Sequence, residues 1–392
     1  MRVLVWNILS FTLVRVFDTS GNTPAEVMDS ADKSWANTGY ILRTLAQADP
    51  DIFVVIEARS GQGPIGELAG GNGPAGLLYL LAQFRNSLSA NWCLVPPLRV
   101  NPQDILGINT HTESVGVFWR DDRLAFTGPM RWPAANNATG PAIAPGGGAT
   151  ANYPPPWNAA VPGGLQNAAL CRFFPGGGQE LLFNDAQHRR PYLTTFTERN
   201  APGRNMNLFS VHFKPGVNAR TASARLSEFL DNMPPAANMF HLAVGDFNVD
   251  LINPDMLQNA ALQLWGPGWA DFTRVSPPGN AQTMVLNNNA AVPGAYLRNL
   301  CLDYGFVRYG AGAAPAVGQG PVAGVAEQIA GTAPAAPLPG FATDMQVPLA
   351  MLAHIPGGIV NQTAVFRNRW NYGHLSPPEP GTSDHLPVLL QV

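Results

Sequence analysis

The sequence predicts an α+β fold in which two β-sheets pack face to face with helices on the outside. Short apolar segments that suit strands recur through the chain and far outnumber the helical segments. Several of these segments are continuously apolar, as strands buried on both faces are. The two amphipathic helical segments fall between strands rather than together at one end of the chain, which favours helices that cover sheets.

Eight segments have the composition of strands. The runs "DIFVVIEA" and "MFHLAVGDF" are the most continuously apolar, and they predict central strands. The eight predicted strands are 2–8, 51–58, 114–120, 192–198, 206–213, 239–247, 300–307 and 386–392.

Two segments have the spacing of amphipathic helices. Ile41 and Leu45 lie on one face of a predicted helix at 35–48, which ends before the "DPD" turn signal. A second predicted helix, at 218–233, carries Leu226 on its apolar face.

Glycine and proline are abundant, at 40 and 37 residues, and they cluster in tracts at 128–178 and 310–340. Neither tract has a helix or strand period, so both are predicted to be long loops on a core made by other segments. They are either plain surface loops or loops that shape a substrate site, since Trp132, Tyr153 and Trp157 offer faces for stacking. The length of 392 residues alone would suggest two or three domains.

Composition excludes several classes of protein. Charged residues make up 12% of the chain and the net charge is -3, so the chain has no overall basic field for nucleic acid, although a local patch would not show in the total. Cys93, Cys171 and Cys301 are far apart, which predicts three free thiols. The start "MRVLVWNILSF" is too short and too soon polar for a signal peptide or membrane span. We therefore expect a cytoplasmic protein with neither membrane association nor an obligate protein partner, and secretion through a removed leader is the alternative.

Polar side chains recur where the predicted strands end. Burying a carboxylate costs several kcal/mol unless it is paired or binds a cation. Packing alone therefore rarely explains this many polar side chains at strand ends. Singly, each has an ordinary explanation: His212 as a core histidine, Glu57 as a partner of Arg59, or Asp384 as a turn cap. Together they offer hard oxygen ligands for Mg²⁺ and two histidines that can move protons. These strand-end residues are Asn7, Glu57, His212, Asp246, Asn248, Asp384 and His385.

Ordered motifs along the chain resemble the endonuclease/exonuclease/phosphatase superfamily, whose members include the pancreatic-type deoxyribonucleases. The motifs, in order, are "RVLVWNI", "PDIFVVIEAR", "ESVGVFWR", "RRPYL", "SVHFKPG", "VGDFNVD", "LDYGFV" and "SDHLPV". "GDFN" followed far downstream by "SDHLPV" is the most specific part. The resemblance implies a four-layered α/β sandwich in one domain spanning 1–392, with the site at one rim of two mainly antiparallel sheets, so it replaces the length-based estimate.

The resemblance also implies roles for individual residues. Glu57, assisted by Asn7, would hold Mg²⁺, or Mn²⁺ in its place, and Asp384 would help with the metal or with orientation. Asp246 and Asn248 would orient the attacking water and a phosphate oxygen.

A second group of implied roles concerns protons and phosphates. His212 and His385 would be the proton-handling pair, with Glu113 orienting the first imidazole. Asp303 would orient the second. In the deoxyribonuclease branch, two arginines contact phosphates, and they match Arg59 and Arg189 here. Arg190, one residue further along, is the alternative match for the second of them.

The expected activity is metal-dependent phosphodiester hydrolysis, and three substrate classes remain open. A nuclease that cuts DNA is favoured by Arg59 and Glu113, which the lipid and inositol phosphatases of the superfamily lack as a rule. A phosphatase or phosphodiesterase on a small or lipid substrate is favoured by the low positive charge and the long loops. An inactive binding module is disfavoured because every matched catalytic position carries a competent residue.

Overall fold

The computed structural model describes the chain in several stretches, and the counts of elements below refer to them. The described residues are 1–63, 68–101, 112–131, 156–161, 172–173, 189–200, 203–214, 217–231, 234–250, 269, 271–276, 283–287, 296–318, 320–325, 383 and 385–392.

The described part of the chain contains two large sheets and one separate hairpin. The strands are β1 (Arg2–Phe11), β2 (Ile52–Ser60), β3 (Trp92–Val95), β4 (Thr112–Arg120), β5 (Leu124–Arg131), β6 (Arg172–Phe173), β7 (Tyr192–Glu198), β8 (Asn205–His212), β9 (Met239–Asp246), β10 (Thr273–Val275), β11 (Met284–Asn287), β12 (Tyr296–Leu300), β13 (Asp303–Tyr309), β14 (Val322–Val325) and β15 (Val388–Gln391). The first sheet has the order β14-β15-β1-β2-β4-β3, the second β10-β13-β9-β8-β7-β5-β6, and β11 pairs with β12. Most neighbouring strands are antiparallel, but the central pairs β1/β2 and β8/β9 are parallel.

Aromatic side chains pack the two sheets against each other. Trp119 of β4 contacts Phe126 of β5 and Phe196 of β7, with ring centroids 5.0 and 6.0 Å apart. All three are almost fully buried, and burial of each such side chain contributes about 1.5–3 kcal/mol. The predicted packing of two mainly antiparallel sheets is therefore confirmed.

Helices cover the outer faces of both sheets. They are α1 (Leu13–Val16), α2 (Pro24–Ala48), α3 (Asn72–Ser87) and α4 (Val217–Asp231). On the first sheet, Phe84 of α3 lies 4.9 Å from Phe118 and Tyr40 of α2 lies 5.2 Å from Trp6, centroid to centroid. On the second sheet, Leu226 of α4 belongs to a buried cluster with strand residues of β8, β9 and β13. The result is four layers, as the resemblance implied.

Several elements differ from the sequence-based prediction. Helix α2 begins at Pro24 and not at the predicted residue 35. Thr23 and Glu26 form a capping box at this observed start. Its first turns carry no apolar period, which is why the period alone misses them. Helix α3 was not predicted from the sequence, and β14 lies inside the tract 310–340.

Part of the first glycine- and proline-rich tract packs against the core. Trp157, in a single 3-10 turn, is only 6% exposed, so its indole is not a free stacking face. Arg85 donates to the Ala159 carbonyl, and the Leu94 amide donates to the Ala160 carbonyl. Trp132 and Tyr153 lie outside the described residues.

The topology gathers one set of strand ends at a single rim. The parallel strands β1 and β2 end there, and the antiparallel strands β4 and β15 start there. In the second sheet, β8 and β9 end at the same rim and β13 starts there, because Asp303 pairs with Asp246 and His212 pairs with Asp246. Side chains far apart in sequence therefore meet at this rim.

Two other expectations can be compared with the described residues. Cys93 and Cys301 are buried free thiols, and Cys171 lies outside the described residues. Among the described helices, none is both long enough and apolar enough to cross a membrane.

Candidate active site

Most of the residues singled out in the sequence form one connected cluster at this rim. Asp384 lies outside the described residues. The ten members that the structure brings together are Asn7, Glu57, Arg59, Glu113, Arg189, His212, Asp246, Asn248, Asp303 and His385.

His212 at the end of β8 is backed by a carboxylate. Its Nδ1 lies 2.9 Å from Glu113 Oε2, and its Nε2 lies 3.2 Å from Glu57 Oε1. Burial alone would lower the pKa of His212, but the charge of Glu113, with that of Glu57, outweighs burial and the nearby Arg189, so the pKa is raised. The protonated imidazole is therefore favoured here.

His385, just before β15, is backed by a second carboxylate. Its Nδ1 lies 2.8 Å from Asp303 Oδ2, an arrangement that leaves Nε2 directed into the cluster. The backbone around it is also tied down, because Ser383 Oγ accepts from the His385 amide and Trp6 Nε1 donates to the His385 carbonyl. The imidazole thus has a fixed tautomer and orientation.

Asp246 at the end of β9 lies between the two imidazoles. Its Oδ2 is 3.7 Å from His212 Nε2 and 3.8 Å from His385 Nε2. Burial raises the pKa of Asp246 to about 6, with Asp303 adding to it, although both histidines act in the opposite direction. Two carboxylate-backed imidazoles therefore converge on one oxygen. His385 lies just before β15 of the first sheet, and His212 lies at the end of β8 in the second.

The turn after Asp246 is shaped by backbone geometry. Gly245 has φ of 142°, and an added Cβ there would lie 2.1 Å from the Val211 carbonyl oxygen. Asn248 has φ of 51°, its amide donates to Asp246 Oδ1, and its Nδ2 donates to the Phe213 carbonyl. This explains the "GDFN" pattern: glycine permits close contact of β8 with β9, and the left-handed Asn248 holds the carboxylate in place.

Glu57 is turned into the cluster by irregular strand pairing. The register of β2 shifts between Val55 and Ala58, and Glu57 itself has φ of 64°. Its carboxylate accepts from the Ser10 amide at 2.8 Å and from Asn7 Nδ2 at 3.2 Å. Burial alone would raise the pKa of Glu57, but His212 and these two hydrogen bonds outweigh it and lower the pKa to about 2.

Asn7 joins the two sheets and leaves one acceptor without a partner. Its Nδ2 donates to Glu57 Oε1 in the first sheet and to Asp246 Oδ2, at 3.0 Å, in the second. Its Oδ1 is buried and has no hydrogen-bond partner among the described residues. An orphaned amide oxygen beside an ionised carboxylate is the environment that a hard cation fits.

A second group of possible ligands lies nearby. Asp246, Asp303 and His385 each offer one ligand atom, and these atoms are all within 4.8 Å of one another. His385 Nδ1 and Asp303 Oδ2 are already hydrogen-bonded to each other. The oxygen ligands around Asn7 and Glu57 therefore suit Mg²⁺ better than this imidazole-containing group does.

The two arginines differ in their surroundings. Arg59 is exposed, and its Nη2 donates to the neutral Ser10 hydroxyl at 2.9 Å. Arg189 is engaged inside the cluster, since its Nη2 lies 3.1 Å from Glu113 Oε1 and its Nη1 contacts the His212 ring. The geometry thus gives Arg59 an outward-facing position and ties Arg189 to the first histidine.

Four supporting residues were not predicted to contribute. Ser10 links Glu57 to Arg59, Trp6 and Ser383 hold the backbone of His385, and Thr283 donates to Asp303. Ser383 Oγ also donates to the Asn7 carbonyl. The "SDH" motif marks Ser383, but a lone threonine or tryptophan carries no such signal in one sequence.

Comparison with solved structures gave matches of full length and low identity. An endonuclease/exonuclease/phosphatase family protein from Leptotrichia buccalis matches with 12% identity and a TM-score of 0.45, covering 100% of this chain and 98% of that one. A mannosyl-6-phosphatase from Bacteroides thetaiotaomicron matches with 13% identity and a TM-score of 0.44, covering 100% and 98%. TDP2 from D. rerio, complexed with a single-strand DNA product, matches with 12% identity and a TM-score of 0.43, covering 100% and 97%.

No protein-family model and no curated protein matches the chain. All three TM-scores are below 0.5, so the chemistry of the site is inferred from the chain's own side chains. The matched solved structures include proteins of the same endonuclease/exonuclease/phosphatase family that the sequence motifs resemble.

Proposed function

We propose that this chain is a Mg²⁺-dependent phosphoesterase, and that its substrate is DNA cut as a phosphodiester. The observation that carries the proposal is the convergence of two carboxylate-backed imidazoles on Asp246 Oδ2, at 3.7 and 3.8 Å. Phosphodiester hydrolysis needs an oriented water, a proton acceptor and a proton donor for a poor leaving group. This cluster has side chains that can orient a water, accept a proton and donate a proton.

Residues of the first sheet fit a hard cation. Glu57 remains ionised at neutral pH because its pKa is about 2, and Asn7 Oδ1 is buried with no hydrogen-bond partner among the described residues. These two residues would hold Mg²⁺, or Mn²⁺ in its place, and Asp384 is proposed to assist. When bound, the ion neutralises charge on the phosphoryl oxygens.

Side chains from both sheets would move the protons. Asp246 orients the attacking water, with Asn248 fixing its carboxylate. His385, whose Nδ1 proton is held by Asp303, accepts a proton from the water at Nε2 as the new P–O bond forms. His212, whose pKa is raised by the charge of Glu113, would give its Nε2 proton to the leaving oxygen as the old P–O bond breaks.

The first experiment tests metal-dependent ester hydrolysis. Plasmid, linear duplex, single-stranded DNA, RNA, a sugar phosphate and a phospholipid are incubated with protein in EDTA, Mg²⁺ or Mn²⁺. We expect DNA cleavage that disappears in EDTA and falls by roughly 10²-fold or more in Glu57→Gln. The matched control is Glu198→Gln, whose carboxylate binds Arg204 at the far end of β7 and should retain activity. Full cleavage in excess chelator contradicts the proposal.

The choice of DNA rests on Arg59. Arg59 is exposed at the rim and its guanidinium donates to a neutral hydroxyl, so it is placed to contact a phosphate flanking the scissile one. Arg59→Ala should weaken DNA binding and reduce the log–log salt slope by about one. Arg199→Ala is the matched control, because this exposed arginine pairs with Asp121 beyond the opposite end of β7. Equal salt slopes in all three proteins would remove the argument for DNA.

A small phosphoester is the second candidate, favoured by a different observation. Arg189 is ion-paired with Glu113, so one of the two predicted phosphate contacts is already engaged within the protein. Metal-dependent release of phosphate from the sugar phosphate, with every nucleic acid left intact, would establish this alternative.

A further inference from the structure

Thr283 lies between the two halves of the second histidine–carboxylate pair. Its amide donates to the Leu300 carbonyl, and its carbonyl accepts from the amide of Leu386, the residue after His385, both at 2.7 Å. Its side chain is fully buried, and its hydroxyl donates to Asp303 Oδ2 at 2.7 Å. One threonine thus contacts the segment that carries the imidazole and the acid that orients it.

The direction of this hydroxyl is fixed by its other partners. Thr283 Oγ1 accepts from the amides of Leu302 and Asp303, at 3.0 and 3.1 Å. With both donors directed at its lone pairs, its own hydrogen is left for Asp303 Oδ2. This is the same oxygen that accepts the Nδ1 proton of His385 at 2.8 Å.

Asp303 has few other constraints. Its side chain is 0% exposed, and its Oδ1 has no partner among the described residues. The two hydrogen bonds to Oδ2 therefore determine how the carboxylate is rotated. Without the one from Thr283, the carboxylate can turn while keeping a bond to the imidazole, and Nε2 of His385 then moves away from Asp246.

We infer that Thr283 is a positioning residue that sets the orientation of His385 through Asp303. Its kinetic consequence rests on the proposed function, but its structural consequence does not. Supporting residues of this kind typically contribute about 10- to 100-fold to activity when a site depends on them.

Three variants separate the hydroxyl from the packing. Thr283→Val keeps the shape and removes the hydroxyl, while Thr283→Ser keeps the hydroxyl. Thr194→Val is the matched control, because Thr194 in β7 is also buried and its hydroxyl has no hydrogen-bond partner in the described residues. A threonine that served only to stabilise the fold would lower the melting temperature without changing the site.

The activity-independent measurement is the proton spectrum of the imidazole N–H groups. The low-field Nδ1 signal of His385 is identified by its loss in His385→Ala, and that of His212 serves as an internal reference. We expect Thr283→Val to shift the His385 signal or lose it to solvent exchange, with the His212 signal unchanged. Thr283→Ser and Thr194→Val should resemble the wild type. An unchanged His385 signal in Thr283→Val overturns the inference, whether or not the protein hydrolyses any ester.

The kinetic measurement tests the route through Asp303. On the substrate cleaved by the wild type, Thr283→Val should lower kcat by about 10- to 100-fold with KM changed by less than about threefold. In an Asp303→Ala background, Thr283→Val should have almost no further effect on kcat, because the group it orients is gone. Additive effects of the two changes would show that Thr283 acts elsewhere. A wild type that cleaves nothing would refute the proposed function, while the imidazole signals would still decide the inference.

Discussion

The fold shifts the protonation equilibria of single side chains at the rim. Glu57 is the clearest case, since its pKa is about 2 although burial acts to raise it. The Ser10 amide, the Asn7 amide group and His212 supply the compensation. The stability of the protein should therefore depend on the ionised state of this carboxylate.

Acid titration of the metal-free protein tests this dependence. The pKa of Glu57 in the folded state is below its ordinary value of 4.5, so its contribution to stability is present above pH 4.5 and is lost as the pH falls towards 2. Between pH 5 and pH 2 the wild type should lose roughly 3 kcal/mol more unfolding free energy than Glu57→Gln. Urea unfolding at several pH values measures it, and parallel pH curves for the two proteins would contradict the expectation.

The residue identities were predictable from sequence because strand-end acids, amides and histidines are costly to bury without a purpose. Asn7, Asp246 and His385 lie where the motifs placed them. The supporting hydroxyl of Thr283 was not predictable, since a threonine in a strand-forming segment is ordinary. The engagement of Arg189 with Glu113 was also invisible, because ion pairing across strands depends on the fold.

Among the elements, the strand pair β8/β9 determines the geometry of the site. It places His212 beside Asp246 in register, and the contact is close at Gly245, where a Cβ would lie 2.1 Å from the Val211 carbonyl oxygen. Any side chain at this glycine must push the two strands apart.

Gly245→Ala should destabilise the protein by roughly 2–4 kcal/mol and lower activity, because both the positive φ and the clash oppose it. The control is Gly203→Ala, which also has a positive φ, 96°, but no heavy atom within 4 Å of the added Cβ. It should cost only about 1 kcal/mol, the strain of the backbone alone. Similar melting temperatures for the two variants would show that the close contact does not constrain β8 and β9.

Elements were predictable where their pattern was strong. The predicted strand at 192–198 has the observed bounds of β7, and the other seven overlap observed strands. Helix α3 was missed because Gly71 and Gly73 precede its apolar face, yet Gly73 permits contact with the Arg59 backbone. Edge strand β14 was missed because four residues in a glycine-rich tract gain their structure from pairing with β15.

At the scale of the whole molecule, polar side chains of the site link the two packed sheets at one rim. Asn7 donates to an acid of each sheet, and Ser383 ties the start of the last strand to β1. A cation held by Asn7 and Glu57 binds the folded state and not the unfolded one, so it should stabilise the whole protein.

Thermal unfolding in Mg²⁺ measures this linkage. At about 100 times the dissociation constant, the ion adds about 2.7 kcal/mol, which corresponds to a rise of a few degrees in Tm. Glu57→Gln should show a much smaller rise, and Glu198→Gln should respond as the wild type does. A rise of equal size in all three proteins would place the bound ion elsewhere.

Ester hydrolysis at this rim, as proposed, requires proton transfer by both His212 and His385. The most direct measurement is the initial rate of phosphodiester hydrolysis in Mg²⁺ by the wild type, His212→Ala, His385→Ala and the double variant, with melting curves for each. We predict that each single change lowers kcat by roughly 10²- to 10⁴-fold with little loss of Tm, and that the double variant is scarcely slower than the worse single one. Wild-type rates from a folded His385→Ala or His212→Ala protein would show that the substituted histidine does not transfer a proton in the reaction.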